Sequence, residues 1–492
     1  MPETSLTTTV EITADNSVPN PPSEHAEVLS DSARMRDRDR GRERVHLLTE
    51  EALAETGHGL YLSEADLSGM DLSGFDLRHA VLNRANLYGT KLINVNLTGA
   101  SLICAGLERT DFTNATLKGA YLHALAAQAS TFTGADLTEL IDATGALFHG
   151  CNLTHTRLDN AMLAGTTFYQ CSLKKAQLRG SDLRGVMFNE CRMDSANLCR
   201  AVVDDATILR SNVRELNLSN ARGHGLAMRR PTAADHLCLT DAHLPSLCLI
   251  GVRARALRAT GLHARRIDVQ DSQLPEADLS HTDLSGGRWE QVGLNRASLV
   301  GALMSDSSWQ AVTAIKADVT QAVGEALTAS ECTFTEAVFA GYTGRYATFR
   351  NCNFRRADFR GAYLYRAAII GDPPASACMV DAQLDGANLT QAYLAADFTG
   401  ASMRHGWATY ARLNQSIFDG ADLQGTGLFR ASAVKVEFAG TRMGGQQGAI
   451  FADRCPGLLD ALRAAMDPGN KRLAELVEEL TELLNRDSGK ST

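Results

Sequence analysis

The chain lacks any run approaching 18 uninterrupted apolar residues, so nothing in it reads as a membrane-spanning helix. Its eleven cysteines include no CxxC pair and no short paired spacing, which excludes a disulfide framework and points to a reducing compartment. Positive charge is not in surplus: 48 Lys and Arg stand against 57 Asp and Glu, a formal net charge of −9, which argues against a generally basic nucleic-acid binder. Catalytic signatures are missing as well. There is no HExxH, no GxxxxGK followed by Ser or Thr, no GxSxG elbow and no GxGxxG opening a helix. The thirteen histidines are scattered, with no pair at ligand spacing on a convincing helix, so no metal and no cofactor is expected. The N-terminus has no basic start followed by an apolar core and does not read as a secretory signal.

What is abundant is a period of five. Residues 65–77 read ADLSGMDLSGFDL, with Leu67, Leu72 and Leu77 each following an aspartate. A helix repeats its buried face every 3.6 residues and a strand every 2, so five suits neither. From Leu62 a large apolar residue recurs through Leu67, Leu72, Leu77, Leu82 and Leu87 to Leu122, with Phe112 the one substitute for Leu. Two residues earlier stands something mostly small, such as Ala80, Ala85, Ala100 or Ala115. The register slips by one residue before Phe148 and by one in GHGLAMRRPTAADH, and loses one near LAADF, but continues to Met443.

Triplets such as Ala85-Asn86-Leu87, Ala135-Asp136-Leu137, Ala277-Asp278-Leu279 and Ala421-Asp422-Leu423 resemble the pentapeptide-repeat family over nearly four-fifths of the chain. The resemblance implies an all-β solenoid, a right-handed four-sided β-helix with one pentapeptide per side and about twenty residues per coil. Residues 60–443 would then make about nineteen coils. Two residues of each pentad face the axis, one large and one small, so the core is expected at Leu67, Leu72, Leu87, Phe168, Phe188, Leu279, Phe354 and Phe359. Coil-spaced Phe112 and Phe132, and Phe334 and Phe354, should stack. Cys151, Cys171 and Cys191, also coil-spaced, read as small buried fillers because no His or carboxylate joins them inside.

The ends read differently. Residues 1–45 are polar, hold Pro19, Pro21 and Pro22, and form a disordered arm. A short helical cap follows over 46–59. After Met443, residues 444–492 carry two helical stretches, the second placing Leu473, Leu476, Val477, Leu480, Leu483 and Leu484 on one stripe that caps the last coil or pairs two chains into a homodimer. Inside the array, GDPPASAC at 371–378 keeps the count of five but sets Pro374 where Leu or Phe belongs. Together with 223–238, it is the place for a bulge or loop.

No concave, water-poor pocket is expected on a convex rod, so the chain is read as not an enzyme; catalysis would need a site in the weakly repeating 223–275 region. The expected function is a scaffold in a bacterial cytosol that binds another protein through its rod, loops or end helices. Two alternatives are carried beside it. Some family members mimic DNA and protect type II topoisomerases from quinolone-type drugs, which needs a long negative face. Here residues 60–443 hold 37 acids and 36 bases, leaving only an acidic stripe within 268–340 for that role. The Ser/Thr-rich start instead suits an effector exported without a cleavable signal. Arg345, Arg350, Arg355 and Arg360, five apart, should circle the rod on four successive sides, and no direct nucleic-acid binding is expected.

Overall fold

The computed structural model describes residues 59–373, 376–433, 435–443, 477, 478 and 481. The arm at 1–45, the cap helix but for Gly59, and Leu473, Leu476, Leu480, Leu483 and Leu484 lie outside the described residues. Of the C-terminal stretch, Val477 and Thr481 are helical, and Val477 is buried in the same apolar cluster as the repeats.

A pentad cannot bury both neighbours of its central residue, because successive side chains of an extended segment point to opposite faces. The backbone therefore runs straight for three residues and turns over two. At Leu62 the carbonyl accepts the Ala65 N–H at 3.2 Å, closing a turn whose third residue, Glu64, is left-handed at φ 62. Glycine suits that corner without steric cost, as at Gly69 and Gly74, which have open space beside them. The straight part then pairs with the next coil: Leu62 N–H donates to Val81 O at 2.8 Å, and Val81 N–H to Leu60 O at 2.9 Å. Repetition of this pairing builds a parallel β-solenoid. Bridges run from Tyr61↔Val81 to Asp422↔Arg442.

Four walls result, passing through Leu62, Leu67, Leu72 and Leu77 and their coil-spaced successors. On the second wall the pairing is long enough to form fifteen three-residue strands, β1 (Gly106–Glu108) to β15 (Tyr393–Ala395), hydrogen-bonded in chain order in one parallel sheet. The aspartate or asparagine before each central residue has a structural task. Its carboxylate or amide oxygen accepts the backbone N–H two residues on, as Asp66 does from Ser68 (3.2 Å) and Asn86 from Tyr88 (3.1 Å), satisfying a donor at an exposed corner.

Leu67, Leu72, Leu87, Phe168, Phe188, Leu279, Phe354 and Phe359 all lie in the bore, buried. Phe112 stacks on Phe132 at 4.9 Å and Phe334 on Phe354 at 5.0 Å, each pair one coil apart. Cys151, Cys171 and Cys191 are buried, with their sulfurs 3.4, 3.2 and 3.2 Å from the carbonyl oxygens of Ala127, Phe148 and Phe168. The neighbouring thiols of Cys151 and Cys191, together with burial, push the pKa of the central thiol, Cys171, upward.

The interruptions sort into two kinds. Single extra residues are absorbed: Ala127 pairs with Phe148 and Asn212 with Ala233, both 21 apart, and Ile141 is pushed into solvent. The stretch at 223–238 keeps its inner side chains, with Leu226 and Met228 buried there. The 223–275 region is not a defect either. Its pairs exchange sizes, so that Leu257 precedes Ala259 and Leu262 precedes Ala264, all four buried. The stretch at 371–378 is different. Thr333 pairs with Asn353, 20 apart, but Asn353 pairs with Cys378, 25 apart. Five residues, 372–376, are therefore inserted between the second and third walls, and the large inner position is filled by buried Met379; Pro374 and Ala375 themselves lie outside the described residues. Nineteen-residue pairings such as Asn388↔Trp407 then record the missing residue near LAADF.

Candidate interaction surface

Each pentad turns three residues outward, and the coil pairing fixes which outward residues share a wall. The acids of 268–340 do not form one stripe. Asp283 and Glu325 stand on the first wall, Asp268 and Glu290 on the second, Glu276 and Glu336 on the third, and Asp278 and Asp318 on the fourth. Several are also spent on local cations. Glu276 takes Arg255 at 3.0 Å, Asp283 takes Arg265 at 2.7 Å, and Glu290 takes Arg288 at 2.6 Å. The Arg255 hydrogen bond lowers the Glu276 carboxyl below its usual range.

The arginines at 345, 350, 355 and 360 do step around four walls. Their neighbours one to four coils on convert part of that belt into a patch. On the first wall, the five coils centred on Gly344, Leu364, Leu389, Ala408 and Leu428 turn out Arg345, Tyr346, Tyr363, Tyr365, Arg366, Trp407, Tyr410, Phe429 and Arg430, with Thr, Asn, Gln and Gly between. None of these outward positions is acidic. Around the corner, the second wall of the same coils carries Arg350, Tyr393, Arg412 and Lys435, and among the described residues the only acid there is Asp372 of the inserted pentad.

The side chains in this corner are organised among themselves. Arg366 lies over the rings of Tyr365 at 5.2 Å and Tyr346 at 6.0 Å, and its Nε donates to Gln391 Oε1 at 2.5 Å. The Tyr365 hydroxyl donates to the same oxygen at 3.1 Å. Three coils beyond Arg366, Arg430 lies over Phe429 at 5.2 Å and Tyr410 at 5.7 Å, and donates to the Tyr410 hydroxyl at 3.1 Å. Guanidinium–ring contacts of this kind contribute on the order of 0.5–1 kcal/mol each at exposed sites. Part of each large ring is nonetheless exposed: Tyr410 is 44% exposed and Trp407 52%. Arg345 is held by Glu325 at 3.7 Å, whereas among the described residues neither Arg366 nor Arg430 pairs with a carboxylate.

The sequence pattern does not reveal this corner. Outward positions are free of the five-residue rule, and the inserted pentad hides that Tyr363, Asn388 and Trp407 are wall neighbours. Among the described residues no three His, Cys, Asp or Glu converge as metal ligands, and no helix is long and apolar enough to cross a membrane.

The family model described as pentapeptide repeats matches in 8 copies, over residues 61–99, 90–124, 144–180, 168–205, 345–371 and 396–432. No curated protein sequence matches the chain. Among solved structures, HetL, a pentapeptide repeat protein involved in heterocyst differentiation regulation from the cyanobacterium Nostoc sp. strain PCC 7120, is 21% identical. That match covers 54% of this chain and 94% of HetL, with a TM-score of 0.19. A trypsin-treated QnrB1, a plasmid-mediated fluoroquinolone resistance protein, is 18% identical over 45% of this chain and 82% of its own, with a TM-score of 0.17. Rfr23, a pentapeptide repeat protein from the cyanobacterium Cyanothece 51142, is 17% identical over 36% and 92%, with a TM-score of 0.09. Superposition this poor carries no weight for function.

Proposed function

We propose that this chain, which belongs to the pentapeptide-repeat family, is a non-catalytic scaffold that binds another protein through the corner between its first and second walls. The observation that carries the reading is the grouping of Tyr346, Tyr363, Tyr410 and Trp407 with Arg366 and Arg430 on exposed, rigid backbone. Trp, Tyr and Arg dominate the energetics of protein interfaces, because each combines a large contact area with directed hydrogen bonding. The ladder beneath fixes their spacing, so little order has to be imposed on binding. DNA mimicry toward a type II topoisomerase draws no support from the charge pattern, since the acids are shared among four walls and several are paired with local cations.

Site-specific photo-crosslinking in the host cell tests the reading. A photoreactive phenylalanine analogue at position 407 should form covalent adducts with a protein, and the same group at Gln383, on the fourth wall, should not. Absence of any protein adduct at 407, or identical adducts from both positions, contradicts it.

A further inference from the structure

We infer that the partner segment taken by this corner is acidic and extended, with two carboxylates about four residues apart and an apolar side chain between them; this rests on the protein-binding reading above. Charge sets the sign. Arg345, Arg350, Arg366, Arg412, Arg430 and Lys435 project from the two walls over the same coils, and among the described residues the only acid projecting with them is Asp372. Of these cations Arg345 already has Glu325, while Arg366 and Arg430 meet rings and neutral oxygens.

The rings decide between acidic protein and single-stranded nucleic acid, the other ligand of basic aromatic surfaces. Bases bind such surfaces by stacking on open ring faces. Here guanidinium groups already cover faces of Tyr346, Tyr365, Tyr410 and Phe429. A guanidinium lying on a ring still directs N–H donors outward in its plane, the geometry that grips a carboxylate with two parallel hydrogen bonds. The corner therefore offers carboxylate forks supported from below, beside the exposed rings of Trp407 and Tyr410.

Register sets the spacing. Arg366, Gln391, Tyr410 and Arg430 occupy the same corner position in four consecutive coils. Three coil steps of about 4.8 Å place the two arginines about 14 Å apart along the rod, and an extended segment advances about 3.4 Å per residue. Side chains on one face of such a segment recur every second residue. The matching pattern is acid, any, apolar, any, acid, with the apolar residue over the Tyr410 and Trp407 rings.

The test selects a random dodecapeptide phage library on the full-length protein and counter-selects on Arg366→Ala/Arg430→Ala, with Arg366→Gln/Arg430→Gln as a second variant; circular dichroism and urea midpoint check the fold of each. The expected peptides carry the two acids at that spacing. A synthetic representative should bind wild type at least ten-fold more tightly than either variant, and should lose binding when its acids become amides. Corner-dependent peptides without acids overturn the acidic-segment inference and leave the protein-binding reading standing. Failure to select any corner-dependent peptide, with a 15-nucleotide oligo-dT binding through Arg366 and Arg430 instead, overturns both.

Discussion

Tyr342 and Gly324 stand one coil apart on the first wall, and the tyrosine occupies the space the glycine leaves. The Tyr342 hydroxyl donates to the Gly324 carbonyl at 3.3 Å, and a Cβ built on Gly324 would lie 2.1 Å from that hydroxyl oxygen. Gly344, at the centre of Tyr342's own pentad, would meet the ring at 2.5 Å. Large and small have changed places within the pentad, and burial drives the phenol pKa upward. Gly344→Leu alone should overpack the bore and destabilise by about 1–3 kcal/mol, and Tyr342→Ala alone should leave a cavity costing about 3–5 kcal/mol. The double variant should recover part of both losses in urea unfolding. Additive losses would show that the two positions do not share one space.

Phe168 sits in the middle of a ring column, 5.0 Å from Phe148 and 5.1 Å from Phe188. Phe168→Ala should cost about 3–5 kcal/mol, since it opens a cavity and breaks two stacked contacts. Phe168→Leu, which restores the commonest residue of the repeat, should cost less than half as much. Equal effects of the two in equilibrium unfolding would contradict a packed aromatic column.

Asp182 accepts from Arg184 at 2.5 Å on the first wall, and its carboxyl is held below the usual carboxylate value, chiefly by that hydrogen bond. A depressed native pKa contributes stability that is fully present above the unfolded-state value and is lost as pH falls through the native one. Asp182→Asn should therefore be less stable than wild type at pH 7, and the gap should close below pH 3. A stability difference unchanged between pH 7 and pH 2.5 would show that the ion pair contributes nothing there.

The inserted pentad is tied to the rod at its described ends, Asp372 and Ser376. Asn351 Oδ1 accepts the Asp372 N–H at 2.9 Å and the Ser376 hydroxyl at 2.7 Å, at an exposed position. Deleting residues 372–376 should restore a 20-residue step between Ala368 and the residue now numbered Tyr393, with β14 (Ala368–Ile370) still pairing with β15. The deletion should leave the circular dichroism spectrum unchanged and shift the unfolding midpoint by no more than a few degrees. Loss of the cooperative transition would show that the pentad is part of the core.

The inner surface of this molecule is far more legible than its outer one. Leu67 to Leu122 are forced into the bore by a period no other backbone shares, and the aspartates that precede them follow from the corner N–H groups they satisfy. Size exchange, as at Leu257 and Ala259, blurs the pattern while leaving the volume filled, which is why 223–275 reads as weak in sequence but is regular in space. The pentad at 372–376 is invisible to a count of five because it is itself one unit of that count; only the spacing of twenty exposes it. The aromatic and arginine residues of the corner obey no repeat, so their grouping appears only after each coil has been assigned to a wall.

That assignment turns on one step in the ladder, where Tyr363 pairs with Asn388 across the inserted pentad. Paired histidines measure it directly. Tyr363→His/Asn388→His should set two imidazoles on adjacent coils of one wall, bind Cu²⁺, and raise the urea midpoint as metal is added. Tyr363→His/Gln383→His, twenty residues apart as an unbroken repeat would require, should gain nothing beyond the Tyr363→His single variant. The reverse result, stabilisation of the 363/383 pair and not of 363/388, would remove Trp407 from the wall of Tyr363 and take the proposed binding corner with it.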